Sequence, residues 1–333
     1  MHSHHSHSGD YVAHGVDPLE DVVARAIERK FHTYCLTEHM PRINMKFLYP
    51  EEREDTAQQE TAIQRLQENF LNFLRHAKTI QDRPNASNTK FIVGIEIEGC
   101  DIEHISYGKE LISKHSDVIK FCVGSVHHIR DIPIDFDQQG WNQALMACNN
   151  NLQTLLLSYF NLQYKMLTVL KPLVVGHFDL YKLYLPPTLK VNLDTGDVSD
   201  EPTAISVSEV QLIHLWDSVH QAVIRNLQFI KSYGGLIEIN TSALRKKQSE
   251  PYPGKDICQL AKVHCGDRFV LSDDAHAVTQ VGVCYEQALK YITQTLQLTQ
   301  MHYLELTTQG DLLIKTLPIE QFKSNEFWGS DRS

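Results

Sequence analysis

Short apolar runs alternate with longer segments of helical spacing along most of this chain. The clearest run is 91–98, which is apolar on both faces until two carboxylates, Glu96 and Glu98, occur at its carboxyl end. Runs of the same kind occur at 1–7, 33–37, 118–125, 173–177, 235–240 and 269–272. Strands that are apolar on both faces and separated by helices are typical of a parallel sheet covered by helices. We therefore predict an α/β fold with seven strands.

Residues with helical spacing fill the stretches between these runs. Asp17 and Pro18, followed by two acidic residues, indicate the start of a first helix. Further helices are predicted at about 51–82, 102–115, 141–170, 207–231 and 255–264, and another after residue 276. The segment 185–206 has no such pattern, so we predict an insertion or lid there. No repeat or linker divides the chain, so we predict a single domain over 1–333.

Residue types that bind metal ions occur at the carboxyl ends of nearly all the predicted strands. They are His5 and His7, His39, Glu96, His127, His177, Asp274 and His276, with His14 in the first loop. An open doubly wound sheet would concentrate its chemistry at one switch point, whereas ligand types arriving from all round the sheet favour a barrel. Burying so many ionisable groups without cations would be costly. Metal ions would remove that cost, and Glu96 could bridge two of them.

The histidine-rich start of the chain supplies the first of these ligand types. Residues two apart in a strand point to the same side, so His5 and His7 form one pair, and His2 and His4 form another on the opposite face. Neutral imidazole is a common ligand of zinc-like metals. Taken alone, the segment could also be a disordered or tag-like terminus, and a lone histidine such as His177 could be a hydrogen-bonded core residue.

Composition and charge narrow the classes of function. No apolar run reaches the ~20 residues that a membrane span requires, and the start of the chain lacks the apolar stretch of a signal peptide. We therefore expect a cytoplasmic protein without a membrane partner. The formal net charge of −10 disfavours nucleic acid as a partner, but a small anionic substrate would respond to the local field of metals and Arg. The seven scattered cysteines contain no Cys-x-x-Cys pair, so they indicate neither a disulfide scaffold nor a thiolate metal site. Nothing indicates the oligomeric state.

An ordered set of motifs resembles the PHP (polymerase and histidinol phosphatase) family of metallohydrolases over nearly the whole chain. The motifs are His-Ser-His at 5–7, Thr-Glu-His at 37–39, Gly-Ile-Glu at 94–96, Gly-Ser-Val-His at 124–127, Gly-His-Phe-Asp-Leu at 176–180, Asn-Thr-Ser-Ala-Leu-Arg-Lys at 240–246 and Ser-Asp-Asp-Ala-His at 272–276. Three pieces resemble the fungal histidinol-phosphatase branch in particular: Gly-Ser-Val-His, Asn-Thr-x-x-Leu-Arg-Lys and Pro-Tyr-Pro at 251–253.

The resemblance implies a distorted (β/α)7 TIM-like barrel that holds three divalent metal ions, variously zinc, manganese or iron. It assigns the ligands of the first ion to His5, His7, Glu96 and Asp274. It assigns those of the second ion to Glu96, His127 and His177, and those of the third to His14, His39 and His276. This chain has one residue more than the family usually has before His14, and it has Glu38 where many members have Asp. We interpret Glu38 as a support for a ligand.

The activity that the resemblance implies is hydrolysis of a small phosphate monoester, L-histidinol phosphate, by a hydroxide that bridges two metals. Glu96 and Asp274 would then act at the reacting centre. Arg245 would bind the phosphate as a bidentate donor if it reaches the site; otherwise it is a surface cation beside two lysines. The ammonium and imidazole groups of the substrate need acceptors, for which Asp135, Asp179 and Glu238 are candidates.

Two other functions remain open from the residues alone. A PHP-type phosphodiesterase or nuclease would use the same metals on nucleic-acid or nucleotide esters. The acidic charge and the absence of a basic groove with interleaved aromatic residues argue against it. A non-catalytic metal-binding or scaffold protein could have kept the barrel, but the full set of ligand types argues against that.

Overall fold

The computed structural model describes residues 1–53, 59–84 and 87–329. Its strands are, in chain order, β1 (His2–Ser3), β2 (Thr33–Leu36), β3 (Lys90–Glu98), β4 (Phe121–Ser125), β5 (His128–Ile129), β6 (Ile132–Pro133), β7 (Val174–Val175), β8 (Lys190–Val191), β9 (Ile205–Ser206), β10 (Leu236–Asn240), β11 (Phe269–Ser272), β12 (Gln300–Leu306) and β13 (Leu312–Pro318). Its α-helices are α1 (Leu19–Glu28), α2 (Gln59–Asp82), α3 (Ile102–Lys114), α4 (Gln138–Ala147), α5 (Leu152–Leu170), α6 (Leu212–Leu215), α7 (Asp217–Tyr233), α8 (Ser242–Arg245), α9 (Lys255–His264), α10 (Tyr285–Lys290) and α11 (Ile319–Lys323).

Seven parallel strands form the central sheet in the order β1-β2-β3-β4-β7-β10-β11. The first and last of these strands meet, and the barrel closes through backbone hydrogen bonds beyond the strand ends. The amide of His7 donates to the carbonyl of Ala275 at 2.8 Å, and the amide of Asp274 donates to the carbonyl of His5 at 3.1 Å. The predicted distorted (β/α)7 barrel is therefore confirmed, and its closing seam lies beside predicted metal ligands.

Apolar side chains fill the barrel interior near the amino ends of the strands. Six strands contribute to this cluster, through Cys35, Ile92, Phe121, Val123, Val174, Leu236 and Val270. Since side chains two positions apart lie on the same side of a strand, the inward positions further towards the carboxyl ends include Glu96 on β3 and Glu238 on β10. An apolar floor therefore underlies a polar carboxyl edge.

An antiparallel hairpin of β12 and β13, which the sequence analysis did not predict, covers this apolar floor. Leu304 of β12 belongs to the same buried cluster as the strand residues. The amide of Leu304 also donates to Nε2 of His4 at 3.2 Å, while the other ring nitrogen of His4 bonds the carbonyl of Leu271 at 2.9 Å. His2 stacks on Tyr303 with ring centroids 4.0 Å apart. The hairpin therefore contacts the start of the chain through His2 and His4.

Two of the predicted helices are interrupted. The helix predicted at 141–170 is α4 followed by α5, because Asn149 and Asn150 adopt the left-handed conformation and Asn151 then caps α5 through Thr154 N. The helix predicted at 207–231 begins only at Leu212 and is divided between α6 and α7. The helix predicted at 51–82 begins in the described residues at Gln59, and its positions 54–58 lie outside the described residues.

The segment 185–206 contains the β8–β9 ribbon and packs against the start of α5. The side-chain amide of Asn151 donates to the carbonyl of Thr195 and to the carboxylate of Asp197, both at 2.8 Å. The segment does not contribute to the wall of the cavity above the predicted metal ligands. Closure of this segment over a substrate, and the single domain over 1–333, stay predictions.

The described part of the chain contains no helix with the length and apolar character that spanning a bilayer requires.

Candidate metal centre

The predicted ligand residues converge at the carboxyl edge of the barrel. The described residues include three groups in which the donor atoms of the group all lie within 4.8 Å of one another. The groups are His5, His7 and Asp274; Glu96, His127 and His177; and His7, His39 and His276. The residues therefore come from six strand ends and from the loops that follow them. The third group contains His7, whereas the family resemblance implies His14 at that place.

Glu96 lies between the three groups and faces them with both carboxylate oxygens. Its Oε1 is 3.2 Å from Nε2 of His177 and 3.6 Å from Nε2 of His127. Its Oε2 is 3.2 Å from Nε2 of His5, 3.4 Å from Nε2 of His7 and 2.8 Å from Nδ1 of His39. A carboxylate with histidines on both sides has the arrangement that bridging of two cations requires.

The strand parity of the first histidines is as the sequence predicts. The rings of His5 and His7 lie side by side with centroids 4.9 Å apart, and both are within 3.7 Å of Oδ1 of Asp274. His2 and His4 instead contact the hairpin and the neighbouring strand, as described above. The alternation of side chains along an extended chain thus separates two metal-facing histidines from two structural ones.

His14 lies at the edge of the centre. Its ring centroid is 5.2 Å from that of His39 and 4.8 Å from that of His276. Burial lowers the pKa of His14 to about 3, with further lowering by His39 and His7, so its ring is neutral at physiological pH. A neutral imidazole can bind a metal ion, and the ligand role of His14 stays a prediction.

Two buried carboxylates hold the histidines from behind. Glu238 accepts a hydrogen bond from Nδ1 of His5 at 2.9 Å and another from the amide of His177 at 2.8 Å. Glu38 lies 3.5 Å from Nδ1 of His7 and accepts a hydrogen bond from Oγ of Ser8 at 2.6 Å. Carboxylates in this position fix the tautomer and the orientation of a ligating ring and raise its basicity.

A third carboxylate, Glu98, anchors the wall of the site. It lies 2.8 Å from Nδ1 of His39, and it pairs with the buried guanidinium of Arg42 at 2.5 Å. The hydroxyl of Tyr49 also donates to it at 2.5 Å. The sequence analysis assigned no role to Arg42 or Tyr49, because residues 40–50 carry no strand or helix pattern that would place them beside β3.

The electrostatic balance of this region fits bound cations. Burial alone would raise the pKa of Glu96, but the charges of His5, His39 and His127 lower it well below its usual range. Burial would lower the pKa of His5, but the carboxylates of Glu96, Asp274 and Glu238 raise it well above its usual range. Within the described ranges, Nε2 of His5, His7 and His39 is buried without a hydrogen-bond partner. Buried orphan nitrogens that face carboxylates are the donor set that zinc-like metals bind.

A cavity of about 550 Å³ opens above these ligands. Its wall includes His14, His39, Glu96, His127, His177, Asp274 and His276. Beyond the ligands, the wall contains the cationic side chains of Arg245 and Lys246, together with Asp135, Phe136 and Tyr49. The cavity therefore has room for a small molecule that carries charges of both signs.

Arg245 reaches the cavity, but part of its guanidinium is engaged. Nη1 and Nη2 each donate to the carbonyl of Asp274 at 3.2 Å, and Nη1 donates to the carbonyl of Asp273 at 3.3 Å. These bonds hold the turn in which Asp274 adopts a left-handed conformation with φ 51°. Arg245 thus positions a predicted metal ligand and also presents a positive charge to the cavity.

Two of the proposed substrate acceptors lie elsewhere. Asp179 is fully buried, accepts a hydrogen bond from the amide of Gly254 at 3.0 Å and pairs with Lys182 at 2.8 Å. Glu238 is fully buried behind His5. Neither residue is on the wall of the cavity above the ligands. The geometry favours positioning roles for both, and their binding of substrate stays an untested prediction. Asp135 is on the wall, and burial raises its pKa to about 6 despite the nearby Lys246.

A barrel with histidines and carboxylates gathered at one edge defines a class of metal-binding α/β proteins, and comparison with known proteins specifies it. The family model described as the PHP domain matches residues 3–242, so the chain belongs to the PHP domain family. It is 55% identical to the histidinol-phosphatase of Saccharomyces cerevisiae over 99% of this chain and 100% of that protein. It is 35% identical to a protein of Schizosaccharomyces pombe named "Probable histidinol-phosphatase", over 87% of this chain and 85% of that one.

A solved structure has a similar fold. A crystal structure from Listeria monocytogenes superposes with a TM-score of 0.64 and 20% sequence identity, over 86% of this chain and 99% of that one. At that identity the likeness supports the barrel and carries no assignment of individual residues.

Proposed function

We propose that this protein is a metal-dependent phosphatase that hydrolyses L-histidinol phosphate to L-histidinol and phosphate. The observation that carries the proposal is the convergence of the histidines and carboxylates around Glu96, under a cavity with charges of both signs. The full-length similarity to the yeast histidinol-phosphatase supports the choice of substrate. The reaction is the hydrolysis of a phosphorylated amino alcohol and belongs to histidine biosynthesis.

We propose three divalent ions, zinc, manganese or iron, as the cofactors. His5, His7, Glu96 and Asp274 would hold one ion, and Glu96, His127 and His177 a second. His39 and His276 would hold the third, with His14 or His7 as a further ligand. When bound, such ions supply a nucleophile from water at neutral pH and withdraw charge from the phosphoryl oxygens. No protein nucleophile is then required.

The chain's own residues would bind and orient the ester. Arg245 and Lys246 place positive charge on the wall of the cavity, where a phosphate dianion would be held. Glu238 and Glu38 keep the rings of His5 and His7 turned towards the centre. The apolar floor beneath Glu96 keeps water out from below, which strengthens every charge interaction inside the site.

The test is phosphate release by protein loaded separately with zinc, manganese and iron, with the bound metal counted by elemental analysis. We expect the catalytic efficiency for L-histidinol phosphate to exceed that for simple alkyl and sugar phosphates by at least about tenfold. A His127→Ala/Asp274→Ala double variant should lose the activity. Release from other monoesters with none from L-histidinol phosphate would disprove the substrate.

Two further assays on the same metal-loaded protein separate the alternative functions. Degradation of oligonucleotides that disappears in a Glu96→Ala variant would indicate a phosphodiesterase or nuclease instead. Equal phosphate release by the wild type and the double variant would indicate a barrel that is not catalytic. We also propose that the enzyme acts in the cytoplasm on this small molecule, which fractionation of cells that express a tagged chain would check.

A further inference from the structure

The chemistry of the proposed substrate restricts where its ammonium group can bind. In L-histidinol phosphate, the carbon that carries the ester oxygen is bonded directly to the carbon that carries the ammonium. Three single bonds therefore separate the oxygen and the nitrogen, so the two atoms stay about 3 to 4 Å apart in any rotamer. If the phosphate is held above the metal ligands, the ammonium must lie next to them and not at the outer rim of the cavity.

Few carboxylates meet that restriction. Glu96 and Asp274 face the metal positions themselves. Glu51 lies at the exposed rim of the cavity, and the Oδ1 atom of Asp137 is engaged as the cap of α4, where it accepts from the amide of Gly140 at 2.7 Å. Asp135 is the remaining acidic residue on the cavity wall.

Asp135 has the position and the unpaired hydrogen-bond acceptor that binding of an ammonium group needs. Its Oδ2 is 4.0 Å from Nε2 of His127, so it borders the predicted second metal position. Its side chain is 16% exposed. Within the described chain, its Oδ1 is buried without a hydrogen-bond partner. A buried acceptor without a partner is costly unless a ligand or water satisfies it.

The backbone holds Asp135 in place from both sides. On one side, the amide of Ile134 donates to the carbonyl of His127 at 3.0 Å. On the other side, the hydroxyl of Tyr184 donates to the carbonyl of Phe136 at 3.0 Å, and Asp137 begins α4. An acceptor held in this way needs little ordering when the ligand binds, which favours affinity.

Resting on the proposed function, we propose that the carboxylate of Asp135 accepts the ammonium group of the substrate and thereby selects amino-alcohol phosphates over other monoesters. The cations of the cavity wall, Arg245 and Lys246, then receive the phosphate, and Asp135 receives the ammonium. The cavity wall thus carries charges opposite to both charged groups of the substrate. Asp135 is in this sense a specificity-determining residue.

The test compares L-histidinol phosphate with its deamino analogue, the same ester with hydrogen in place of the ammonium group. We expect Asp135→Asn to lower kcat/KM for L-histidinol phosphate by about tenfold to a hundredfold, because a charged hydrogen bond is lost. For the deamino analogue, kcat/KM should change by less than about twofold. A Glu51→Gln variant removes the same charge from the rim and should alter neither value by more than about twofold.

Each other outcome overturns the inference. Equal losses on both esters would mean that Asp135 serves the metals or the leaving group, and no loss on either would mean that it contacts neither. If the Asn variant does not fold or retain metal, Asp135→Glu moves the carboxylate by one methylene. It should then change the preference for the ammonium-bearing ester by at least about threefold. A wild type that hydrolyses neither ester refutes the proposed function; a wild type that treats the two esters alike refutes only the role of Asp135.

Discussion

Glu238 is fully buried, yet its carboxylate meets two predicted metal ligands from behind. It accepts from the ring of His5 and from the amide of His177, and it also accepts from the side-chain amide of Asn240 at 3.0 Å. Each of these bonds fixes a group whose orientation the metal centre needs. At the scale of single residues, the centre therefore depends on the carboxylates behind the histidines as well as on the ligands.

Replacing Glu238 by Gln should weaken metal binding. The amide keeps the shape, but it loses the charge that raises the basicity of His5, and we expect metal affinity to fall by about tenfold to a hundredfold. Competition with a chelator, followed by elemental analysis, measures this. Glu201→Gln, at an exposed position of the segment 185–206, is the matched control and should bind metal as the wild type does. Unchanged affinity in the Glu238 variant would contradict the role given to this carboxylate.

His104 in α3, which is not one of the predicted metal ligands, makes a pH-dependent contribution to the stability of the fold. It is fully buried beside Phe47, and burial lowers its pKa from 6.5 to about 4, with a further contribution from Arg42. The folded state therefore favours the neutral ring. The stability that results is fully present above pH 6.5 and is lost as the pH falls towards 4.

A His104→Leu variant should consequently be less sensitive to acid over this window. The contribution lost by the wild type between pH 6.5 and 4 is on the order of 3 kcal/mol. Urea unfolding of both proteins at several pH values measures the difference between their free energies of unfolding. If that difference stays constant from pH 7 to pH 4, His104 does not titrate as its burial implies.

At the scale of elements, Asn151, which lies between α4 and α5, attaches the segment 185–206 to the barrel. Asn151 accepts from the amide of Thr154 as the cap of α5, and its side-chain nitrogen donates to Thr195 and Asp197. One side chain therefore satisfies the helix start and holds the insertion against it. A continuous helix over 141–170 would have removed this attachment.

Asn151→Ala should destabilise the fold by about 1 to 2 kcal/mol, because it removes a helix cap and two further hydrogen bonds. Asn150→Gly is the matched control, since Asn150 is exposed with φ 53° and glycine adopts that conformation freely. Denaturant unfolding should show a loss for the first variant and little change for the second. If both variants were as stable as the wild type, the cap would not contribute to the free energy of unfolding.

At the scale of the whole molecule, the metal centre and the closure of the barrel depend on the same segments. The seam between the first and last strands closes through backbone hydrogen bonds that join His7 to Ala275 and Asp274 to His5. The side chains of His5, His7 and Asp274 face the centre. Bound cations would neutralise the buried carboxylates at this seam. Metal binding and global stability should therefore be coupled.

Removal of the metals should lower the thermal midpoint of unfolding. A ligand present at 100 times its Kd stabilises the folded state by about 2.7 kcal/mol, and several buried carboxylates are left facing one another when it is removed. Calorimetry before and after chelation, with zinc or manganese added back, measures the shift. The shift should be much smaller in an Asp274→Asn variant. An identical midpoint with and without bound metal would contradict the coupling.

Most of the fold and the convergence of the candidate ligands at one edge could be predicted from the sequence, because both follow from local pattern. Strands that are apolar on both faces must be covered on both faces, which predicts a parallel sheet between helices. Metal-binding residue types at the ends of nearly all the strands then favour a barrel over an open sheet. The parity of His5 and His7 against His2 and His4 is likewise a property of the extended chain.

Only the tertiary structure decided which partner each side chain meets. The β12–β13 hairpin occupies the barrel floor because of long-range packing around Leu304, which no local pattern records. Glu238 and Asp135 are both acidic residues near strand ends, yet one lies behind His5 and the other on the cavity wall. Contacts between residues far apart in the chain depend on the path of the whole backbone, whereas periodicity reports only on the segment that carries it.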